Sequence, residues 1–143
     1  MRIISFNVNG IRAVEKKGAL QNLVELQKPD ILFLQEIKAK SEQLSDALIH
    51  PTGYAAHYHS AEKPGYAGTG VWIKNDLFES FEILRGMEIT LPSKKKVRFE
   101  DTEGRVLGVK SGKTLVFGNY FPNGGKSHEA WLGKLKFYDH FHQ

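Results

Sequence analysis

Pro29-Asp30-Ile31-Leu32-Phe33-Leu34-Gln35-Glu36-Ile37-Lys38 is the stretch from which the fold of this chain is read. Four consecutive apolar residues, preceded by proline and followed by a polar cluster, predict a short strand buried on both faces. An earlier run, Ile3-Ile4-Ser5-Phe6, leads in the same way into Asn7-Val8-Asn9-Gly10. Between the two, Leu20, Leu23, Val24 and Gln27 recur at helical spacing, and Lys28-Pro29 stops that helix. Strand, helix, strand predicts a parallel pair with a right-handed crossover. Ligands of such sheets collect where the strands end, so Asn7 and Glu36 are expected to meet at one rim.

Further along, Ser41 to Ile49 reads as a short helix with Ser41 as its cap. From Tyr54 the pattern turns to strands, over Ala55–His59, Gly70–Lys74, Ser80–Leu84, Arg105–Lys110 and Thr114–Tyr120, most separated by Gly- or Pro-containing turns. The expected architecture is α/β, a mixed sheet with flanking helices. Glu129 to Phe141 carries Ala130, Trp131, Leu132, Leu135, Tyr138 and Phe141 in an amphipathic helical pattern. No repeat, low-complexity tract or linker divides the sequence, so residues 1–143 read as one unit.

With 143 residues and 41% hydrophobic content the chain can bury a core. No apolar stretch reaches the roughly 20 residues a membrane helix needs, and a cytoplasmic protein without a membrane partner is the expectation. The absence of cysteine excludes disulfides and thiolate metal sites, leaving oxygen or imidazole ligands for any metal. Lys and Arg number 20 against 16 Asp and Glu, a formal charge of +4. That excess is compatible with a polyanionic partner without requiring one.

Read without any comparison, Glu36 just past a buried strand is either a solvated turn residue or a ligand for a hard cation such as Mg²⁺, which takes one or two protein carboxylates and keeps its waters. Asn7 and Asn9 are equally compatible with a turn, where Asn tolerates left-handed backbone. Tyr120 is either a core ring with its hydroxyl at the surface or a group presented at the same rim. His57 and His59 alternate on one strand and, with no third ligand in sight, read as structural. Lys94, Lys95, Lys96 and Arg98 form a basic run that either grips a polyanion or is a solvated loop.

The segment Pro29–Lys38, preceded by Ser5-Phe6-Asn7-Val8-Asn9-Gly10-Ile11-Arg12-Ala13, resembles the exonuclease III family, the class II apurinic/apyrimidinic endonucleases of the endonuclease/exonuclease/phosphatase superfamily. The resemblance continues through Ser60–Gly68, Glu103-Gly104-Arg105 and Asn119-Tyr120-Phe121-Pro122-Asn123-Gly124. It implies a four-layered sandwich of two mixed sheets with helices outside. It also implies a DNA-repair nuclease that cuts the backbone 5′ to abasic sites and trims 3′ ends, using Mg²⁺ or Mn²⁺, monomeric when intact. Glu36 matches the family's metal-binding glutamate, Asn7 the asparagine beside it, and Tyr120 the active-site tyrosine, with Asn123 close by. Arg12, Lys17 and Tyr66 fall where family members contact the backbone of double-stranded DNA.

The same resemblance implies a deficit. The family's Asp-x-Asn segment, its histidine-orienting aspartate and its Ser-Asp-His are not in these 143 residues. The expectation is therefore an N-terminal part of the domain, about half of the sandwich, with little or no nuclease activity alone and with one sheet deprived of its partner. Other readings are a different phosphodiesterase of the superfamily, DNase I-like or acting on lipid or inositol phosphates, and a non-catalytic DNA-binding remnant. The Gln-Glu-x-Lys and Asn-Gly-Ile-Arg-Ala patterns favour the repair branch.

Overall fold

The structure, a computed structural model, describes residues 1–90, 96–99 and 101–142, the backbone alone for 89–90 and 96–99. Of the basic run, Lys94 and Lys95 lie outside the described residues, and only the backbone of Lys96 and Arg98 is described.

Strand β1 (Ile3–Asn7) pairs in parallel with β2 (Ile31–Gln35), in the register Ile3 to Ile31 through Asn7 to Gln35. Between them run two helices, α1 (Ile11–Lys16) and α2 (Ala19–Gln27). The expected strand–helix–strand unit is present, with an additional short helix directly after the first strand. Strand β2 then pairs antiparallel with β4 (Thr69–Lys74), which pairs antiparallel with β3 (Tyr54–His59), so the first sheet has the mixed order β1-β2-β4-β3. All five residues of β2 are buried because the strand has a core on each side. Leu32 and Leu34 pack with Ile11, Leu20, Leu48 and Trp72 under the helices, while Ile31 and Phe33 pack with Val71, Ile73, Leu107 and Val109 on the opposite face. The unbroken apolar run follows from this two-sided burial.

The region expected to form one helix from Ser41 to Ile49 instead contains a 3₁₀ turn, Ser41–Gln43, and a one-turn helix α3 (Asp46–Ile49). Its cap is Ser45, whose Oγ accepts from the Leu48 amide at 3.3 Å, and not Ser41. The buried Leu44 sits at the break in extended conformation, and the cap geometry restarts the helix after it.

The second sheet has the order β5-β8-β9, from β5 (Glu82–Arg85), β8 (Val106–Ser111) and β9 (Thr114–Asn119), all antiparallel. A separate hairpin pairs β6 (Met87–Thr90) with β7 (Lys96–Phe99). Helix α4 (His128–His142) closes the described chain, with Phe137 buried and Phe121 packed on the rings of Phe137, Tyr138 and Phe141.

The two sheets pack on each other within this chain, β9 across β2 and β4, and β8 across β3 and β4. The expectation that one sheet lacks its partner is thereby corrected: the interior face is filled by Phe33, Val71, Ile73, Leu107 and Val109. What stays open lies at the edge. On β1, Ile4 and Phe6 pack towards the helices, whereas Ile3, Ser5 and Asn7 point to the other side and are exposed, Ile3 at 45%. Gly118 permits close packing of the two sheets, because a Cβ there would stand 2.1 Å from the Phe33 ring.

Candidate functional site

Asn7 and Glu36 leave the C-terminal ends of adjacent parallel strands, so the register that pairs Asn7 with Gln35 brings the next residue's carboxylate to the Asn7 side chain. The Asn7 Nδ2 donates to Glu36 Oε1 at 2.7 Å, and Asn7 Oδ1 accepts from the Asn9 amide at 3.0 Å. With its oxygen thus committed, the Asn7 amide is oriented with its nitrogen towards the carboxylate. Lys38 Nζ lies 2.9 Å from Glu36 Oε2 and also donates to Asn9 Oδ1.

Among the described residues, four of the five non-glycine residues with positive φ gather here: Asn9, Glu36, Lys38 and Ala67, at φ 44, 54, 50 and 40°. Left-handed backbone costs energy for residues with a Cβ and persists where surroundings enforce it. The enforcing bonds are Gly10 N to Glu36 O at 2.7 Å, Ile11 N to Ile37 O at 3.0 Å, Lys38 N to Ala67 O at 3.0 Å and Ile37 N to Gly68 O at 3.2 Å. Three loops are thereby pinned around one partly exposed carboxylate.

The Asn7 amide bond, against the opposing effect of partial burial and helped by Lys38 and Tyr120, holds the Glu36 carboxyl below the usual carboxylate range. Tyr120, just past β9, brings its hydroxyl to the same carboxylate. Burial, then the hydrogen bond and charge of Glu36, push that hydroxyl's pKa up, with Arg105 opposing. The rim therefore presents an ionised carboxylate beside a neutral phenol.

Behind Tyr120 stands Arg105, 4% exposed. Its guanidinium donates to Tyr120 O at 3.0 Å and to Tyr66 Oη at 3.2 Å, binds Glu103, and lies 4.6 Å from the centroid of the Tyr120 ring. Tyr66, Arg105 and Asn123 line one cleft of about 250 Å³. Asn123 turns its Oδ1 onto the Gly125 amide at 2.9 Å. Arg12 on α1 and Lys17 at its C-terminal end are both exposed. The structure thus joins Asn7, Glu36 and Tyr120 directly, puts Tyr66 and Asn123 in the adjoining cleft, and holds Arg12 and Lys17 on the helix that follows the Asn7 loop.

Among the described residues no three His, Asp or Glu side chains gather as a metal cluster. His59 Nδ1 lies 3.1 Å from Val106 O and 3.6 Å from the buried Asp101 carboxylate, and His57 packs edge-on to Phe81. His57 thus makes a ring contact and His59 a polar one within the fold.

Two residues of the site were not singled out from sequence. Lys38 stands two positions after Glu36, and the left-handed backbone at both residues turns the loop so that its ammonium meets Glu36 Oε2. Arg105 belongs to the Glu-Gly-Arg piece, and no local sequence signal marks its burial; its neighbour Gly104 lies so close to β3 that a Cβ there would meet His59 O at 2.2 Å.

Residues 4–130 match the model of the endonuclease/exonuclease/phosphatase family. An exodeoxyribonuclease of Bacillus subtilis (strain 168) is 32% identical over 123 residues, covering 86% of this chain and 43% of the relative. A DNA-(apurinic or apyrimidinic site) endonuclease of Dictyostelium discoideum is 34% identical over 125 residues, covering 87% and 31%. Among solved structures, the AP endonuclease LMAP from Leishmania major superposes with a TM-score of 0.75 at 28% identity, covering 96% of this chain and 45% of that one. The chain spans less than half the length of each of these three proteins.

Proposed function

The chain belongs to the endonuclease/exonuclease/phosphatase family, and on that premise we propose that it is the N-terminal part of an exonuclease III-like DNA-repair nuclease. The whole enzyme would hydrolyse the phosphodiester 5′ to abasic sites in double-stranded DNA and trim 3′ ends. The observation that carries this reading is the Asn7–Glu36–Tyr120 constellation, an ionised carboxylate oriented by an amide and faced by a neutral phenol at the open rim.

The residues present fit a divalent cation. Glu36 is ionised, its side chain is 19% exposed, and Oε2 already attracts a positive group, the Lys38 ammonium. Its ligand atoms are oxygens, as Mg²⁺ or Mn²⁺ prefers. When bound, such an ion supplies charge neutralisation for the phosphate and the leaving oxygen.

The chain's own groups have separable roles in this proposal. Asn7 fixes the direction of the Glu36 carboxylate. Tyr120, its proton retained, exchanges its bond to Glu36 for one donated to a phosphoryl oxygen when the phosphate is bound, and Arg105 holds the ring from behind. Arg12, Lys17, Tyr66 and Asn123 contact the DNA backbone, which positions the duplex without reading its sequence. Glu36 belongs to no cluster of three or more His, Asp or Glu among the described residues, and the Asp-x-Asn and Ser-Asp-His motifs that the resemblance calls for are not in these 143 residues, so this chain by itself turns over little or no substrate.

A competition experiment tests the reading. A labelled duplex bound to the chain in Mg²⁺ is challenged with an unlabelled duplex carrying an abasic-site analogue, or with a soluble phosphodiester. Displacement by the abasic duplex at far lower concentration supports it. Preference for the soluble ester would point to another phosphodiesterase of the family.

A further inference from the structure

The two carboxylate oxygens of Glu36 are not equivalent. Oε1 receives the neutral Asn7 amide at 2.7 Å, while Oε2 faces the charged Lys38 Nζ at 2.9 Å. We propose that Lys38 is a resident cation on Glu36, displaced from Oε2 whenever a divalent ion binds, so that lysine and metal compete for one carboxylate oxygen. The inference rests on the reading of Glu36 as a cation ligand and adds a built-in competitor to it.

Charge and distance set the two cations against each other. A Mg²⁺–oxygen bond is about 2.1 Å, so a metal ion on Oε2 with Lys38 in place would put the two positive centres at most about 5 Å apart. Both side chains are partly exposed, at 34% for Lys38 and 19% for Glu36, so the ammonium has an exit to water. The backbone has none. Lys38 N is bonded to Ala67 O and Ile37 N to Gly68 O, and Glu36 O receives the Gly10 amide. The exchange is therefore a swing of one flexible side chain about a fixed loop. Asn9 Oδ1, which already accepts from Lys38, is placed to retain the ammonium near the rim after it leaves Glu36.

The experiment is Mn²⁺ titration of the chain by calorimetry and by electron paramagnetic resonance at neutral pH, with no substrate. Lys38→Met is expected to bind Mn²⁺ about two- to fivefold more tightly than the wild type, since one competing ion pair has been removed. Lys38→Arg keeps the charge and is expected to stay as weak as the wild type, and Glu36→Gln to lose the site in both backgrounds. Wild-type binding that depends on Glu36 but is not tightened by Lys38→Met overturns the competition alone. If Glu36→Gln leaves Mn²⁺ binding unchanged, the metal-site reading falls and the inference with it. Should Lys38→Met fail to fold, nuclear magnetic resonance of the wild type decides. The Lys38 side-chain signals must shift with Mg²⁺ along the binding isotherm, and signals that do not move overturn the proposal.

Discussion

The Asn7 side-chain nitrogen donates to Glu36 Oε1 at 2.7 Å across 29 positions of sequence, joining the ends of the parallel strands β1 and β2. This bond is the leading cause of the lowered Glu36 pKa. A group with a depressed folded pKa stabilises the fold fully above its unfolded value, about 4.3 for Glu, and loses that contribution as pH falls through the folded value. Asn7→Ala is therefore expected to cost about 1 kcal/mol at pH 7 and much less at pH 3. Urea denaturation of the metal-free protein at both pH values checks this; an equal loss at both would mean the bond to the ionised carboxylate is not the cause.

Gly118 lies where β9 crosses Phe33. Gly118→Ala forces a methyl group into that ring and is expected to cost about 2 kcal/mol in chemical denaturation. Combining it with Phe33→Leu, which frees space at the contact, should recover part of the loss, because contacting residues couple.

Ser45, and not Ser41, caps α3. Ser45→Ala should lower stability by about 0.5–1 kcal/mol, whereas Ser41→Ala should stay within about 0.5 kcal/mol. Reversal of that order in parallel melts would contradict the cap assignment.

Strand cleavage at an abasic-site analogue in Mg²⁺ is expected to be negligible for this chain alone. Turnover that Glu36→Gln abolishes would show that the half-site suffices and that the proposed division of the active site is wrong.

Exposed Arg12 and Lys17 are expected to meet phosphates. Replacing both by alanine should reduce the slope of log affinity for duplex DNA against log salt by about 2, with little change in preference between sequences. An unchanged slope would place the DNA elsewhere.

Much of this was legible in the sequence, for identifiable reasons. Ile31–Leu34 read as a doubly buried strand because both faces have cores, and parallel pairing then obliged Asn7 and Glu36 to meet. Tyr120 needed the motif around it, since a tyrosine ending a strand has a plain packing role. The helix Ile11–Lys16 was not read because Gly10, at φ 111°, starts it without a side-chain cap. Met87–Thr90 and Lys96–Phe99 do alternate apolar and polar residues, but each is only four residues long and the second lies inside the basic run, where charge dominates the pattern. Lys38 and Arg105 escaped because their roles depend on loops converging from Asn9, Ala67 and Tyr120, which local sequence does not encode.

If Glu36 organises a cation at a DNA-facing rim, Mg²⁺ must strengthen the grip on DNA, which fluorescence anisotropy of a duplex carrying an abasic-site analogue, titrated with the chain with and without Mg²⁺, measures. Mg²⁺ is predicted to tighten wild-type binding severalfold and to have no effect on Glu36→Gln. Wild-type affinity indifferent to Mg²⁺, or an equal gain in Glu36→Gln, would contradict the account.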